Sequence, residues 1–478
     1  MNYCSWSSRI DHVECQSRRR CCAVAVTRVL SVNRGEIAAR VVRAAQALGI
    51  EAVQAVSAAD RDSLAARLAD RVVVIGPAPS RASYLNAELL VHTAHQTGCD
   101  ALHPGYGFLS ERAHLARLCA DNGITFVGPS PETIAALGDK LQAKAIAEAA
   151  GVPLVPGTAR IADAGAAQRA ASILGFPVLL KASAGGGGRG MFIARDASDI
   201  AASFDKASHE AHEAFGDGTM YMERYVENAR HVEVQVFGDG TGKVLHFGER
   251  DCSIQRRYQK VFEEAPCVAM PEALRQQLYS SAVALVASLK YRNAGTVEFL
   301  YDVDRAEIYF IEVNARIQVE HPVSEQVTGY DLVQLQFRIA GGEPLRWSQD
   351  QISVVGHAIE CRINAEDPYR NFQPSPGRIT RWSPPRGAGI RLDSHCAEGY
   401  LVPPFYDSMI GKLIVTAASR AHCVERLQRA LANFEIDGLT TNLPLLKFVA
   451  AHPDFAANRL NTRWLEQTGL PAFEQTKE

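Results

Sequence analysis

No apolar run in this 478-residue chain approaches the ~18 residues that a membrane-spanning helix requires. No basic stripe is present either. The 50 lysines and arginines are offset by 53 aspartates and glutamates, for a formal net charge of −3, which argues against nucleic acid as the main partner. Of the 11 cysteines, four (Cys4, Cys15, Cys21 and Cys22) fall in the first 22 residues. The others stand singly, without a C-x-x-C pair or metal-ligand spacing. That pattern excludes a disulfide framework and points to a reduced, cytosolic protein. The first 25 residues also lack apolar periodicity, and the apolar stretch after Arg18 to Arg20 is too short for a signal peptide. Residues 1–26 therefore read as a tail outside the fold, disordered or preceding the true start.

What is present is a chain long enough for two or three domains, 47% hydrophobic and 22% charged, the balance of a globular protein. From Arg28 the order is strand, helix, strand: RVLSV, then an amphipathic EIAARVVRAAQALG closed by Gly49, then EAVQAVS. DRVVVIG and CDALHPGYG continue the alternation, so residues 27–138 predict a βαβ domain with a parallel sheet. Its first strand–helix turn holds only Asn33, Arg34 and Gly35 and lacks G-x-G-x-x-G, which leaves a dinucleotide site unsupported.

A helix begins near Asp139, followed by FPVLLKASAGGGGRGMFIAR. Two apolar strands flank the glycines there, no helix follows them and no G-K-[ST] occurs, so a Walker loop does not fit. The pattern predicts a hairpin with a glycine-rich tip whose N–H groups approach phosphate closely, with Lys181 ending the first strand. His209 and His212, three apart on a helical stretch, do not form H-E-x-x-H and read as a solvated face, as do His92 and His95.

In EVNARIQVE, residues 312–320, Glu312, Asn314, Arg316, Gln318 and Glu320 alternate with Val313, Ala315, Ile317 and Val319. An extended chain puts the two sets on opposite faces and separates Glu312 from Glu320 by about 26 Å. The preceding GTVEFLYDVDRAEIYFIEVNA predicts a hairpin turning near Arg305, with Glu298 opposite Glu312. Two like charges so placed are costly without a cation. A shared divalent metal and carboxylates splayed into solvent are both open readings.

Seven separated motifs together resemble the biotin carboxylases of the ATP-grasp superfamily. They are NRGEIA at 33–38, HPGYGFLSE at 103–111, KASAGGGGRGM at 181–191, HVEVQV at 231–236, ERDCSIQRR at 249–257, EVNARIQVEHPVSE at 312–325 and GHAIECRINAEDP at 356–368. The resemblance implies a multidomain α/β and α+β fold. Its parts are a βαβ parallel-sheet domain, an ATP-grasp domain with a glycine-rich lid at 139–350, and a C-terminal biotin carboxylase domain at 355–466. It implies ATP, two magnesium or manganese ions, and bicarbonate and biotin as substrates. Lys140, Lys181, Gly187 and Gly188 would then meet the phosphates, and Glu223, Arg224, Tyr225 and Val226 would form the adenine hinge. His231, Gln255, Tyr258, Glu298 and Glu312 complete the nucleotide site. Glu298, Glu312 and Asn314 would hold the metal, and Lys260, Arg316, Gln318 and Val319 the bicarbonate. Glu320 would be the base, with Arg316 and Lys260 beside it and Arg362 steadying the biotin enolate; Tyr84 would also touch biotin.

The sequence departs from the family pattern at Ala184, where the lid's first glycine is usual, at Arg224, where lysine is usual, and at Tyr258, where histidine is usual. No A-M-K-M biotinyl-lysine motif occurs. The expected partners are a separate biotin carboxyl carrier protein, carboxyltransferase subunits and a second copy in a homodimer, as in a bacterial acetyl-CoA carboxylase. A subunit of another acyl-CoA or oxo-acid carboxylase and a nucleotide-binding regulatory paralogue are the alternatives.

Overall fold

The structure, a computed structural model, describes residues 26–182, 191–215 and 218–477. The expected tail up to residue 25 and the glycine-rich tip with Ala184, Gly187 and Gly188 lie outside these. Val26, assigned to the tail by its sequence, is buried against Val29 and Ile50 in the first domain's core.

The first segment contains β1 (Arg28–Ser31), α1 (Gly35–Ala47), β2 (Glu51–Val56), β3 (Arg71–Val74), β4 (Ala101–His103) and β5 (Thr125–Phe126). These strands form a parallel sheet in the order β3-β2-β1-β4-β5, as the alternation predicts. α1 buries Ile37, Val41, Val42 and Ala45, its three-to-four spacing matching the helical period. It ends at Gly49, whose φ of +73° suits a residue without Cβ. β3 departs from its apolar sequence. As the sheet edge it leaves Val72 and Val74 each 44% exposed.

α2 (Lys140–Ala149) starts at Asp139, whose carboxylate accepts the Gln142 N–H at 2.8 Å. β6 (Val178–Ala182) and β7 (Met191–Ala194) form the expected antiparallel hairpin and join β8 (Met220–Arg224) in a three-stranded sheet ordered β7-β6-β8.

The remaining strands that matter are β9 (Ala229–Asp239), β10 (Val244–Arg256), β11 (Gln259–Ala265), β12 (Arg292–Asp302), β13 (Glu307–Asn314), β14 (His357–Asn364), β15 (Ile390–Ser394) and β16 (Met409–Ala417). They form one antiparallel sheet in the order β13-β12-β9-β10-β11-β14-β16-β15. The break expected at 350–355 therefore interrupts the sequence but not the sheet, since β11 pairs directly with β14. Glu298 stands opposite Glu312, as the hairpin reading requires.

The row 312–320 is not extended throughout. β13 stops at Asn314, residues 315–320 leave the sheet, and α3 (His321–Thr328) begins with Pro322 in its first turn. Ile317 is fully buried beside Leu332 and Leu335, which pulls the segment inward. The 26 Å separation therefore fails: Glu298, the cross-strand partner of Glu312, and Glu320 contact the same ammonium, that of Lys260.

Glu264 on β11 ties the two halves of the large sheet together. It accepts hydrogen bonds from Arg420 Nε at 2.7 Å and His357 Nε2 at 2.8 Å. Burial pushes its carboxyl up, but these partners outweigh burial and hold it at about 2. A group so depressed contributes stability above its unfolded value of about 4.3 and loses it as pH falls toward 2. Glu264→Gln is expected to lower unfolding free energy by about 3 kcal/mol at pH 7. Urea titrations should show the deficit narrowing from pH 5 downward; a deficit independent of pH would contradict the charged pair.

Candidate active site

Three carboxylates converge on Lys260 of β11. Its Nζ lies 2.5 Å from Glu233 Oε2, 3.1 Å from Glu298 Oε1 and 2.6 Å from Glu320 Oε1. β9 contributes Glu233, β12 contributes Glu298, and the turn before α3 contributes Glu320. Behind them Arg250 of β10, fully buried, donates to Glu233 Oε1 at 2.5 Å, Gln235 Oε1 at 2.8 Å, Gln318 Oε1 at 2.8 Å, Thr296 Oγ1 at 3.1 Å and Ser324 Oγ at 3.0 Å. Gln318 passes the chain onward, donating through Nε2 to Glu298 at 2.9 Å.

Glu320 is 2% exposed and also accepts Arg362 Nη2 at 3.0 Å. Burial favours its neutral form, yet Lys260, Arg362 and Arg250 prevail over burial and the Glu233 charge and hold it below the ordinary carboxylate range. It is an ionised carboxylate at neutral pH. Arg362 gives its Nε to Glu263 Oε1 at 2.6 Å. Burial, countered in part by Arg362 and reinforced by Glu320, raises the Glu263 carboxyl to about 7.

Arg316 donates to Glu111 Oε2 and to Asn314 Oδ1, each at 2.8 Å. Val319 enters through its carbonyl, which accepts Lys412 Nζ at 2.6 Å. Lys412, fully buried on β16, also lies 3.1 Å from Glu36 on α1, so the first domain braces this pocket. Asn314 donates Nδ2 to Glu298 at 2.9 Å. Glu312 is raised by burial and by Glu298, with Lys140 opposing. Glu298, buried, and Glu312, half-buried, stand opposite each other on paired strands with the Asn314 amide nearby, and their oxygens are of the hard kind that magnesium or manganese takes. His231 Nε2 lies 3.1 Å from Glu298 Oε2, though its N–H is not aligned on it. Burial lowers this imidazole, but Glu298 and Glu233 outweigh burial and lift it to about 9.

On the opposite wall, Glu223 pairs with both Lys181 and Lys144. The hinge N–H groups of Arg224 and Tyr225 are taken by the Pro156 carbonyl at 2.8 Å and the Pro177 carbonyl at 3.0 Å, while Val226 is buried. Gln255 is 5% exposed and donates to the Cys252 carbonyl at 2.7 Å. Tyr258 is 64% exposed at the β10–β11 turn, where Arg257 and Tyr258 have φ of +48° and +66°. Partial desolvation by its neighbours, with Tyr225 and Glu466 nearby, raises its hydroxyl.

The hydroxyl of Tyr84 is already engaged within the first domain. Tyr84 is fully buried, donates to Asp60 Oδ2 at 2.7 Å, and stacks on Phe108 with centroids 5.1 Å apart. The reason is local: Asp60 binds Arg34, and Tyr84 satisfies that buried carboxylate. Sequence reasoning missed Glu233, Arg250, Glu111, Glu36, Glu263, Lys144 and Lys412. The first four sit inside the motifs HVEVQV, ERDCSIQRR, HPGYGFLSE and NRGEIA, which was the available signal.

Residues 25–134 match the family described as biotin carboxylase, N-terminal domain, and residues 360–467 match biotin carboxylase C-terminal domain. Residues 139–348 match carbamoyl-phosphate synthase L chain, ATP binding domain. The chain is 49% identical to a biotin carboxylase of Halalkalibacterium halodurans over 92% of its own length and 97% of that protein. It is 46% identical to one of the pyruvate carboxylase subunits of Methanothermobacter thermautotrophicus, over 92% and 90%. Among solved structures it resembles the biotin carboxylase domain dimer of the Hydrogenobacter thermophilus 2-oxoglutarate carboxylase, a complex with MgADP, ADP and bicarbonate. The TM-score is 0.86 with 46% identity, covering 94% of this chain and 98% of that one.

Arg250 touches three of the segments that shape the pocket, so Arg250→Met is expected to cost about 3–5 kcal/mol by removing the fully buried cation that pairs with Glu233 and leaving the groups it bridges without a donor. Chemical denaturation measures this; a loss under 1 kcal/mol would show that the network closes without it.

Proposed function

Because this chain belongs to the biotin carboxylase family, we propose that it uses ATP and bicarbonate to carboxylate the ureido nitrogen of biotin on a carrier protein, as the first half-reaction of an acetyl-CoA carboxylase. It is an ATP-dependent ligase. The observation that carries the reading is Glu320, an ionised, 2% exposed carboxylate pinned between Lys260 and Arg362.

Lys140 and Lys181 take the ATP phosphates together with Gly187 and Gly188, while Glu223, Arg224, Tyr225 and Val226 line the adenine. His231, Gln255 and Tyr258 complete that pocket. Magnesium or manganese, two ions in this reading, belongs on Glu298, Glu312 and Asn314, where it supplies neutralising charge for phosphoryl transfer. Lys260, Arg316, Gln318 and Val319 hold bicarbonate, the two cations facing its charge. Bicarbonate is a poor electrophile, so it is first phosphorylated to carboxyphosphate. In that step Glu320 accepts the bicarbonate proton as the bicarbonate oxygen bonds to the γ-phosphorus and ADP leaves; carboxyphosphate then splits into carbon dioxide and phosphate, the released phosphate takes the ureido N–H proton, and the resulting biotin enolate attacks the carbon dioxide. The guanidinium of Arg362 stabilises that enolate.

The partners in this reading are a biotin carboxyl carrier protein, carboxyltransferase subunits and a second copy of the chain, in the cytoplasm. Among the described residues no helix is long and apolar enough to cross a membrane. The similarity to pyruvate carboxylase and 2-oxoglutarate carboxylase subunits favours a second reading, in which the same half-reaction serves an oxo-acid acceptor. Acetyl-CoA, pyruvate and 2-oxoglutarate carboxylation by the reconstituted complex separates the two. A regulatory, non-catalytic role would require ATP binding without turnover.

Phosphate release from ATP that requires both bicarbonate and free biotin is the direct test; its absence overturns the proposal. Glu320→Gln keeps shape but cannot accept the proton, so kcat is expected to fall by about 10²–10⁴-fold while nucleotide still binds. Unchanged turnover would remove Glu320 from the base role. Tyr258→His restores a ring nitrogen beside the hinge and is expected to tighten ATP binding by about 1 kcal/mol, near fivefold. Equal affinity in the two forms would mean that Tyr258 costs no contact.

A further inference from the structure

Glu223 carries more positive charge than it needs. It lies on β8 with a side chain 7% exposed, and two ammonium groups contact it: Lys181 Nζ on one carboxylate oxygen and Lys144 Nζ on the other. Burial pushes this carboxyl up, yet the two lysines outweigh burial and hold it below the usual carboxylate range. One cation keeps a buried carboxylate charged; the second is surplus and makes the triad net positive. The two lysines are not equivalent. Lys181 is opposite Tyr221 on the β6–β8 ladder and diagonal to Glu223, one residue before the end of β6, where the glycine-rich segment begins. Lys144 rises from α2, one turn beyond Lys140, and its ammonium also sits 4.8 Å from the Tyr221 ring centroid. A carboxylate and a ring thus anchor Lys144 from two sides.

We propose that Lys144 is a positioning residue for nucleotide binding: it remains on Glu223 as the resident counter-ion and so releases Lys181 to the phosphates. This rests on the reading that Lys181 binds phosphate. When Lys181 turns toward an anionic ligand, Glu223 would be stranded in a site where an unpaired charge is strongly unfavourable, unless a second cation stays behind. Lys144 is that cation. It acts through Glu223 and touches no reacting atom. Without it, phosphate and Glu223 compete for one ammonium, and nucleotide binding must first break an ion pair.

The test is a double-mutant cycle read by MgADP affinity in calorimetry and by the split between KM for ATP and kcat. Lys144→Met is expected to weaken MgADP binding about tenfold, the scale of one charge-assisted contact, and to raise KM for ATP while kcat at saturation changes little. Lys144→Arg should recover most of the affinity. In a Glu223→Gln background Lys181 has no competing carboxylate, so adding Lys144→Met should then cost nothing. If Lys144→Met weakens binding equally in both backgrounds, Lys144 is merely structural and the inference fails. If Lys181→Met weakens MgADP but Lys144→Met does not, the inference alone fails. If Lys181→Met leaves MgADP binding unchanged, the phosphate role of Lys181 is wrong and the inference falls with it.

Discussion

The ammonium of Lys260 stands among three carboxylates, and the surrounding structure ensures that none of them lacks a cation. At separations near 4 Å and an effective dielectric of about 20, each like-charge contact costs about 4 kcal/mol. Glu233, Glu298 and Glu320 therefore cannot be assembled without Lys260 between them and Arg250 and Arg362 behind. The same cluster sets the protonation states: it keeps Glu320 ionised and lifts His231 to about 9. The charge state of Glu320 and the cohesion of the sheet here rest on one electrostatic arrangement.

That arrangement explains why one sheet crosses what the sequence divides. Lys260 on β11 and Arg362 on β14 must sit side by side to share Glu320, and the β11–β14 pairing delivers them. The first domain contributes from outside the sheet, through Glu36 on Lys412 and Lys412 on the Val319 carbonyl, and through Glu111 on Arg316. Lys412 thus holds the backbone of the 315–320 segment from outside it.

Much of the architecture was legible. The parallel sheet of the first segment, the Asp139 cap, the glycine-tipped hairpin and the Glu298–Glu312 pairing follow from short-range periodicity and turn chemistry, which depend on neighbours in sequence. The row Glu312 to Glu320 was legible as a set of polar and charged side chains but not as a shape. Its alternation mimics a strand, whereas the chain leaves the sheet at Asn314 because Pro322 opens a helix and Ile317 is drawn into an apolar cluster. Tyr84 illustrates a different limit: the family resemblance implied a ligand contact, and in the fold its hydroxyl is taken by the Asp60 carboxylate that also pairs with Arg34.

The sequence by itself determined the inventory: which acids, bases and amides are available, their local spacing, and the family whose motifs they compose. Only the tertiary structure decided their pairing. Whether Glu320 is charged, whether Glu223 binds one lysine or two, and whether Glu233 or Arg250 matters at all depend on groups 15 to 79 residues apart in sequence. Coulomb energy and desolvation act through space, over a few ångströms, and periodicity carries no record of which distant strands the fold places side by side.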